Sequence, residues 1–260
     1  MNKLVISLIC VVAIIITIFG KVHYDNKLAA IGENAKEQQQ LINSQQALYD
    51  HWLQLMTNMN EQLIDIFMQK LEADETITVL TIGSNFSFMS EEDETQSWPF
   101  QLKEELEAHY GNGKFAFEMT NVEDASTNHF IEANGHVQAA SYLPDVLIVE
   151  PFLLNDNGIV KIDDTIENVE LLIETVKEAS PDVFVILQPP NPIFNPTVYV
   201  EQVDELQYFA KKHDYEYLNH WQVWPEIRDE HIEEFLDGVY PNANGQELWA
   251  EYIVNYFVAK

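Results

Sequence analysis

The 260-residue chain is short of positive charge and almost without cysteine. Thirteen Lys and Arg stand against 43 Asp and Glu, a formal net charge of −30. A surface of that sign repels nucleic-acid phosphates and anionic headgroups, which argues against a nucleic-acid partner. It reads as a solvated acidic surface, with a cationic partner as the other reading. The one cysteine, Cys10, rules out an intramolecular disulfide. A cytosolic protein and a disulfide-free exported domain fit this equally. No internal repeat is present. The acidic stretch Ser90-Glu91-Glu92-Asp93-Glu94-Thr95 lacks the alternating spacing and the glycine of an EF-hand loop. It reads as a loop, and neither a metal nor a cofactor is expected.

What is present begins with one long apolar run. Residues 4–20 carry no charge and reach the lower length limit for crossing a bilayer. A cleaved signal peptide would show small residues in an A-x-A-like pattern, and Phe19-Gly20-Lys21-Val22-His23-Tyr24 offers none. The reading is an uncleaved, single-pass membrane anchor. Cys10 sits mid-run behind Leu8 and Ile9, a poor place for lipid attachment. Lys3 and the α-amine on one side and Lys21 and Lys27 on the other leave orientation weakly marked.

Residues 27–74 have helical spacing. Leu41, Leu48 and Leu55 recur every seven residues, as do Trp52, Met59 and Ile66. The stripe either packs on a globular domain or forms a stalk that self-associates through residues 41–66. A groove for a partner peptide is the third reading. The expected division is an anchor and flank over 1–26, a helical stalk or packing helix over 27–75, and a globular domain over 76–260.

With 47% hydrophobic residues, the rest must form a packed core. β-Branched runs at 77–82, 146–149 and 183–187, the alternating Phe115, Phe117 and Met119 of 115–121, and the short run 215–218 predict strands. Between them, 98–110, 165–179, 198–212 and 243–257 predict helices, with 219–235 mostly helical. Ser97 reads as an N-cap and Pro99 as a first-turn residue. This alternation predicts an α/β fold, a three-layer α/β/α sandwich on a mainly parallel, flavodoxin-like sheet. Right-handed crossovers then place the strand ends along one rim, where ligands bind in such folds.

Three polar stretches converge on that rim: Gly83-Ser84, Leu154-Asn155-Asp156 and Asp237-Gly238-Val239-Tyr240-Pro241-Asn242. With them, over about residues 77–257, the chain resembles the SGNH/GDSL hydrolases, serine esterases and acyl hydrolases. Gly83-Ser84-Asn85, with Trp98-Pro99 downstream, matches the block whose serine is commonly written Gly-Asp-Ser or Gly-Ser-Ser. The resemblance implies Ser84 as nucleophile. It implies the backbone N–H groups of Ser84 and Ser126 and the amide of Asn155 as oxyanion donors. Ser126 stands where the family has a glycine, and leucines replace the glycine before Asn155. The last block, Asp-x-x-His-Pro-Asn, matches at Asp237, Pro241 and Asn242, but Tyr240 holds the histidine's place.

A serine attacks an acyl carbonyl only when a base takes its proton, and histidine serves because its pKa lies near the working pH. A phenol, at about 10, is a poor substitute. Three readings follow. Asp237 or a histidine (His129, His136, His220 or His231) could act as base, Tyr240 could be ionised by a cation, or the site could bind without cleaving. The resemblance thus implies a membrane-anchored esterase facing the cell exterior, acting on an acylated small molecule or an acetylated glycan. The alternative is a pseudo-hydrolase that binds such a ligand or scaffolds partners.

Overall fold

The computed structural model describes residues 3–90 and 93–259; Glu91 and Glu92 of the acidic stretch lie outside the described residues. The chain forms two compact units, residues 1–51 and residues 52–260. The first is the greater part of one helix, α1 (Lys3–Leu55). By length and composition α1 can cross a membrane. Inside its apolar run, the Thr17 hydroxyl donates back to Ala13 O at 2.8 Å, which lets a polar group sit there. Leu41 and Leu48 are exposed.

The second unit begins at Trp52, well ahead of residue 76. Trp52, Leu55, Met56 and Met59 are buried in it. The helical pattern expected to run through 74 breaks at Asn60, whose side chain accepts from Gln62 N at 3.0 Å. That cap starts a second helix, α2 (Glu61–Glu72). The Trp52 and Met59 stripe is therefore spent on packing.

Five parallel strands follow: β1 (Ile77–Gly83), β2 (Phe115–Asn121), β3 (Val146–Val149), β4 (Phe184–Leu187) and β5 (Glu216–Tyr217). Their order is β2-β1-β3-β4-β5, the flavodoxin-like arrangement. The connecting helices are α3 (Trp98–Tyr110), α4 (Thr127–Glu132), α5 (Gly135–Ser141), α6 (Leu153–Asp156), α7 (Ile162–Ala179), α8 (Tyr199–Lys212) and α9 (Ala243–Phe257).

Strand alternation divides the core. Leu80, Ile82, Leu147, Val149, Val185 and Leu187 pack with Val169, Ile173 and Val176 of α7 and Val203 and Leu206 of α8. On the other face Phe67 of α2 meets Tyr110, Phe115 and Phe257 at 5.9, 5.6 and 6.1 Å between ring centroids. Trp98 of α3 stacks on Trp249 of α9 at 5.5 Å. The result is the three-layer α/β/α sandwich predicted.

Two local expectations fail. Residues 219–235 form two 3-10 turns, His220–Val223 and Glu230–Phe235, with Pro225 between them, which has no N–H to continue a helix. The Ser97 hydroxyl does not cap α3; it accepts from Met89 N at 2.7 Å. The Trp98 N–H is taken by Gln246 Oε1 of α9 at 2.9 Å, so a neighbouring helix satisfies this terminus.

Candidate functional site

The strand order reverses between β1 and β3, and the site lies at their carboxyl ends. Beyond Gly83 the chain coils at once, with Ser87 N and Phe88 N both bonding to Ser84 O. Ser84 is buried there with no exposed surface. Its N–H donates to Glu150 Oε2 at 2.8 Å and its hydroxyl to the same oxygen at 2.7 Å. Ser87 Oγ donates to that oxygen at 3.2 Å, and Phe152 N donates to Oε1 at 2.8 Å. Glu150, just past β3, is itself wholly buried and ties the two strand ends together. Burial raises its pKa against the opposing pull of these four donors.

This knot leaves no spare room. A Cβ on Gly83 would stand 2.6 Å from Ser87 Oγ and 2.7 Å from Ser87 Cβ. Gly83→Ala is expected to push Ser87 off Glu150 and cost about 1–3 kcal/mol in chemical denaturation, the usual range for overpacking.

Asn85, the next residue, faces the other way. It lines a cleft of about 470 Å³ with Phe88, Met89, Asn121, Asp237 and Tyr240. Asp237 and Tyr240 pair across a two-stranded hairpin, β6 (Leu236–Asp237) and β7 (Tyr240–Pro241). Gly238 makes the reversal in the left-handed region at φ +67°. The Tyr240 ring stacks on Phe86 at 4.7 Å and remains 42% exposed. Asn242 caps α9 by accepting from Gly245 N, and Gln246 Nε2 donates to Phe86 O at 3.1 Å, which braces the turn from behind.

A second cleft, about 670 Å³, shares Asn121 and is lined by Glu123, Ser126, His129, Gln138 and Asn155. Asn155 Nδ2 donates to Glu123 O at 2.8 Å and makes a longer contact of 3.4 Å to Asn85 Oδ1. Asn85 Nδ2 in turn donates to Asp124 at 2.5 Å. The Ser126 hydroxyl caps α4, accepting from His129 N at 3.3 Å. Asp156 is buried beneath, accepting from Thr127 N, Thr127 Oγ1 and Thr165 Oγ1 at 2.9, 2.5 and 2.6 Å.

Of the residues singled out in the sequence, Asp237 and Tyr240 thus share one cleft, and Asn155 and Ser126 line the next. Ser84 is among the lining residues of neither. The histidines do not reach its hydroxyl, which donates to Glu150 and accepts from Phe86 N. His220 is stacked on Trp249 at 4.1 Å, with Nε2 against Pro189 O and Nδ1 accepting from Trp224 Nε1. Burial holds its pKa down to about 3. His231 pairs with Glu234, and His129 lies in the second cleft. Among the described residues, no three His, Cys, Asp or Glu are grouped to hold a metal ion.

Two residues escaped the sequence reading. Glu150 announced itself as a lone acid directly after the most apolar strand. Asn85 is the third residue of Gly83-Ser84-Asn85, the place the serine takes in both common spellings of the motif.

No protein-family model and no curated protein matches the chain. Solved structures do. A G-D-S-L family protein from Desulfitobacterium hafniense superposes with a TM-score of 0.56 at 16% identity, over 70% of this chain and 99% of its own. A psychrotrophic esterase from Pseudoalteromonas gives 0.53 at 13%, over 69% of this chain and 95% of its own. A variant of an acetyl-xylooligosaccharide esterase from Geobacillus gives 0.53 at 11%, over 70% and 94%. The chain has the fold of the SGNH/GDSL hydrolases.

Proposed function

We propose that this SGNH-fold domain binds an acylated small molecule or glycan without cleaving it, and that α1 anchors it in a membrane with the domain outside the cell. One observation carries the reading: the residue presented to the cleft at the serine turn is Asn85, while the Ser84 hydroxyl is held inside by Glu150. An amide neither attacks a carbonyl nor needs a base, so Tyr240 in the histidine's place costs such a site nothing. The Asn155 amide, which would stabilise an oxyanion, is turned to Glu123 and Asn85. The exposed Tyr240 face and the amides of Asn85 and Asn121 suit a ligand with C–H faces and hydroxyls.

A second reading rests on the 2.7 Å bond from Ser84 to Glu150. A carboxylate with a raised pKa is a better base, and Ser84 with Glu150 would then be an esterase dyad opened by movement of the turn. The esterase neighbours support it. A fluorophosphonate probe separates the two. The binding reading expects no adduct on the full chain in mild detergent, judged by intact mass. An adduct that Ser84→Ala abolishes would establish the dyad instead.

A further inference from the structure

A third cleft lies apart from the serine turn, between residues 157–163 and the start of α8. It measures about 640 Å³. Val198, the residue before α8, and Glu201, Gln202 and Glu205 of α8 line it on one side. Opposite stand Ile159, Lys161 and Asp163. A helix face turned to its own domain is ordinarily apolar. Here Gln202 is 95% buried by its 5% exposure, and its Oε1 has no hydrogen-bond partner. Buried side-chain oxygens are normally satisfied, so one that lines a cleft points to a donor that arrives with a ligand.

The surrounding charge says which donor. Asp163, Glu201 and Glu205 outnumber Lys161, and Lys161 makes no ion pair among the described residues. Ile159 at 79% and Val198 at 55% exposure offer an apolar rim. A cationic head with N–H donors and an aliphatic stem matches all three features: the buried acceptor, the carboxylates and the rim. We infer that this cleft binds an aliphatic ammonium group, carried by a free polyamine or by a lysine side chain. The acidity of the whole chain would draw such a cation in.

The test is calorimetric titration of the full chain in mild detergent with the diamine cadaverine and with a tripeptide capped at both ends and bearing one lysine. Saturable binding is expected, weakening as salt is raised. Glu201→Gln and Glu205→Gln should each weaken it about tenfold, a moderate loss for one partner of a charge pair. Gln202→Leu should abolish it, while Gln202→Glu and Lys161→Ala should tighten it. Asn85→Ala should leave it unchanged, which keeps this site separate from the serine turn. Binding of the diamine alone identifies a free amine, and binding of both identifies the ammonium group as sufficient. Absence of saturable heat at millimolar ligand overturns the proposal. So does equal binding of the dicarboxylate glutarate, or binding indifferent to Gln202→Glu, Glu201→Gln and Lys161→Ala.

Discussion

Asn85→Ser combined with Tyr240→His should raise ester hydrolysis far above that of the parent chain. The two positions line one cleft, with Asp237 paired to residue 240 across the hairpin and able to orient an imidazole. A serine at 85 would place a hydroxyl at the end of β1, in the same cleft as residue 240. Removing the Asn85 amide also releases Asn155 Nδ2 from its 3.4 Å contact, toward a role as oxyanion donor. A general base contributes about 10²–10⁴-fold and one oxyanion donor about 10²–10³-fold. The double variant is therefore expected to hydrolyse p-nitrophenyl acetate at least about a hundredfold faster than the parent. Each single variant should stay within about tenfold of it, because nucleophile and base act as a unit. Fluorophosphonate should label position 85. A double variant that folds but gains nothing, or that labels at Ser84, would remove Asn85 from the role given to it.

Glu150→Ala carries the largest expected stability effect. It strips partners from Ser84 N and Phe152 N, both buried at the strand ends, besides two hydroxyls. Leaving a buried donor bare costs about 1–3 kcal/mol, so the two backbone groups alone imply about 4 kcal/mol. For a unit of this size that is a fall in Tm of roughly 10 °C by calorimetry. The pH response tests the same group. Its folded pKa is raised by burial, so the native state prefers the neutral acid. That contribution is present below the unfolded value and is lost as pH rises through the folded one. Glu150→Gln fixes a neutral side chain, so subtracting its stability curve from the parent's should leave this slope alone, falling as pH rises. A steeper slope in the variant would show that the four donors outweigh burial.

The architecture was legible because its signals are local. The runs at 77–82 and 146–149 are too apolar and β-branched for a surface, and the helices between them keep one apolar face. Gly83-Ser84, Asn155 and Asp237 stand in order, and that order carries the resemblance to the family. The site was legible only in outline. Whether a strand-end serine points outward depends on where the following residues coil, and that is set by Glu150, 66 positions away from Ser84 in the chain. No periodicity encodes a side-chain bond of that separation. Asn85 was readable by register alone, since it is third in its motif. The serine beside it carries the hydroxyl, but the residue that lines the cleft is the one after it. The break at Asn60 and the 3-10 turns after residue 219 were missed for a different reason. Both are decided by single residues, Asn60 as a cap and Pro225 as an interruption, that barely alter an average pattern.

The stacked pair Trp98 and Trp249 has an optical consequence. Two indoles 5.5 Å apart and inclined by 22° couple their excited states, and one belongs to α3, the other to α9. The resulting circular-dichroism band reports whether the last helix is docked. That helix also holds Gln246 and the capped turn that back the cleft. A cleft variant that loses ligand but keeps the band has lost chemistry, and one that loses both has lost its wall.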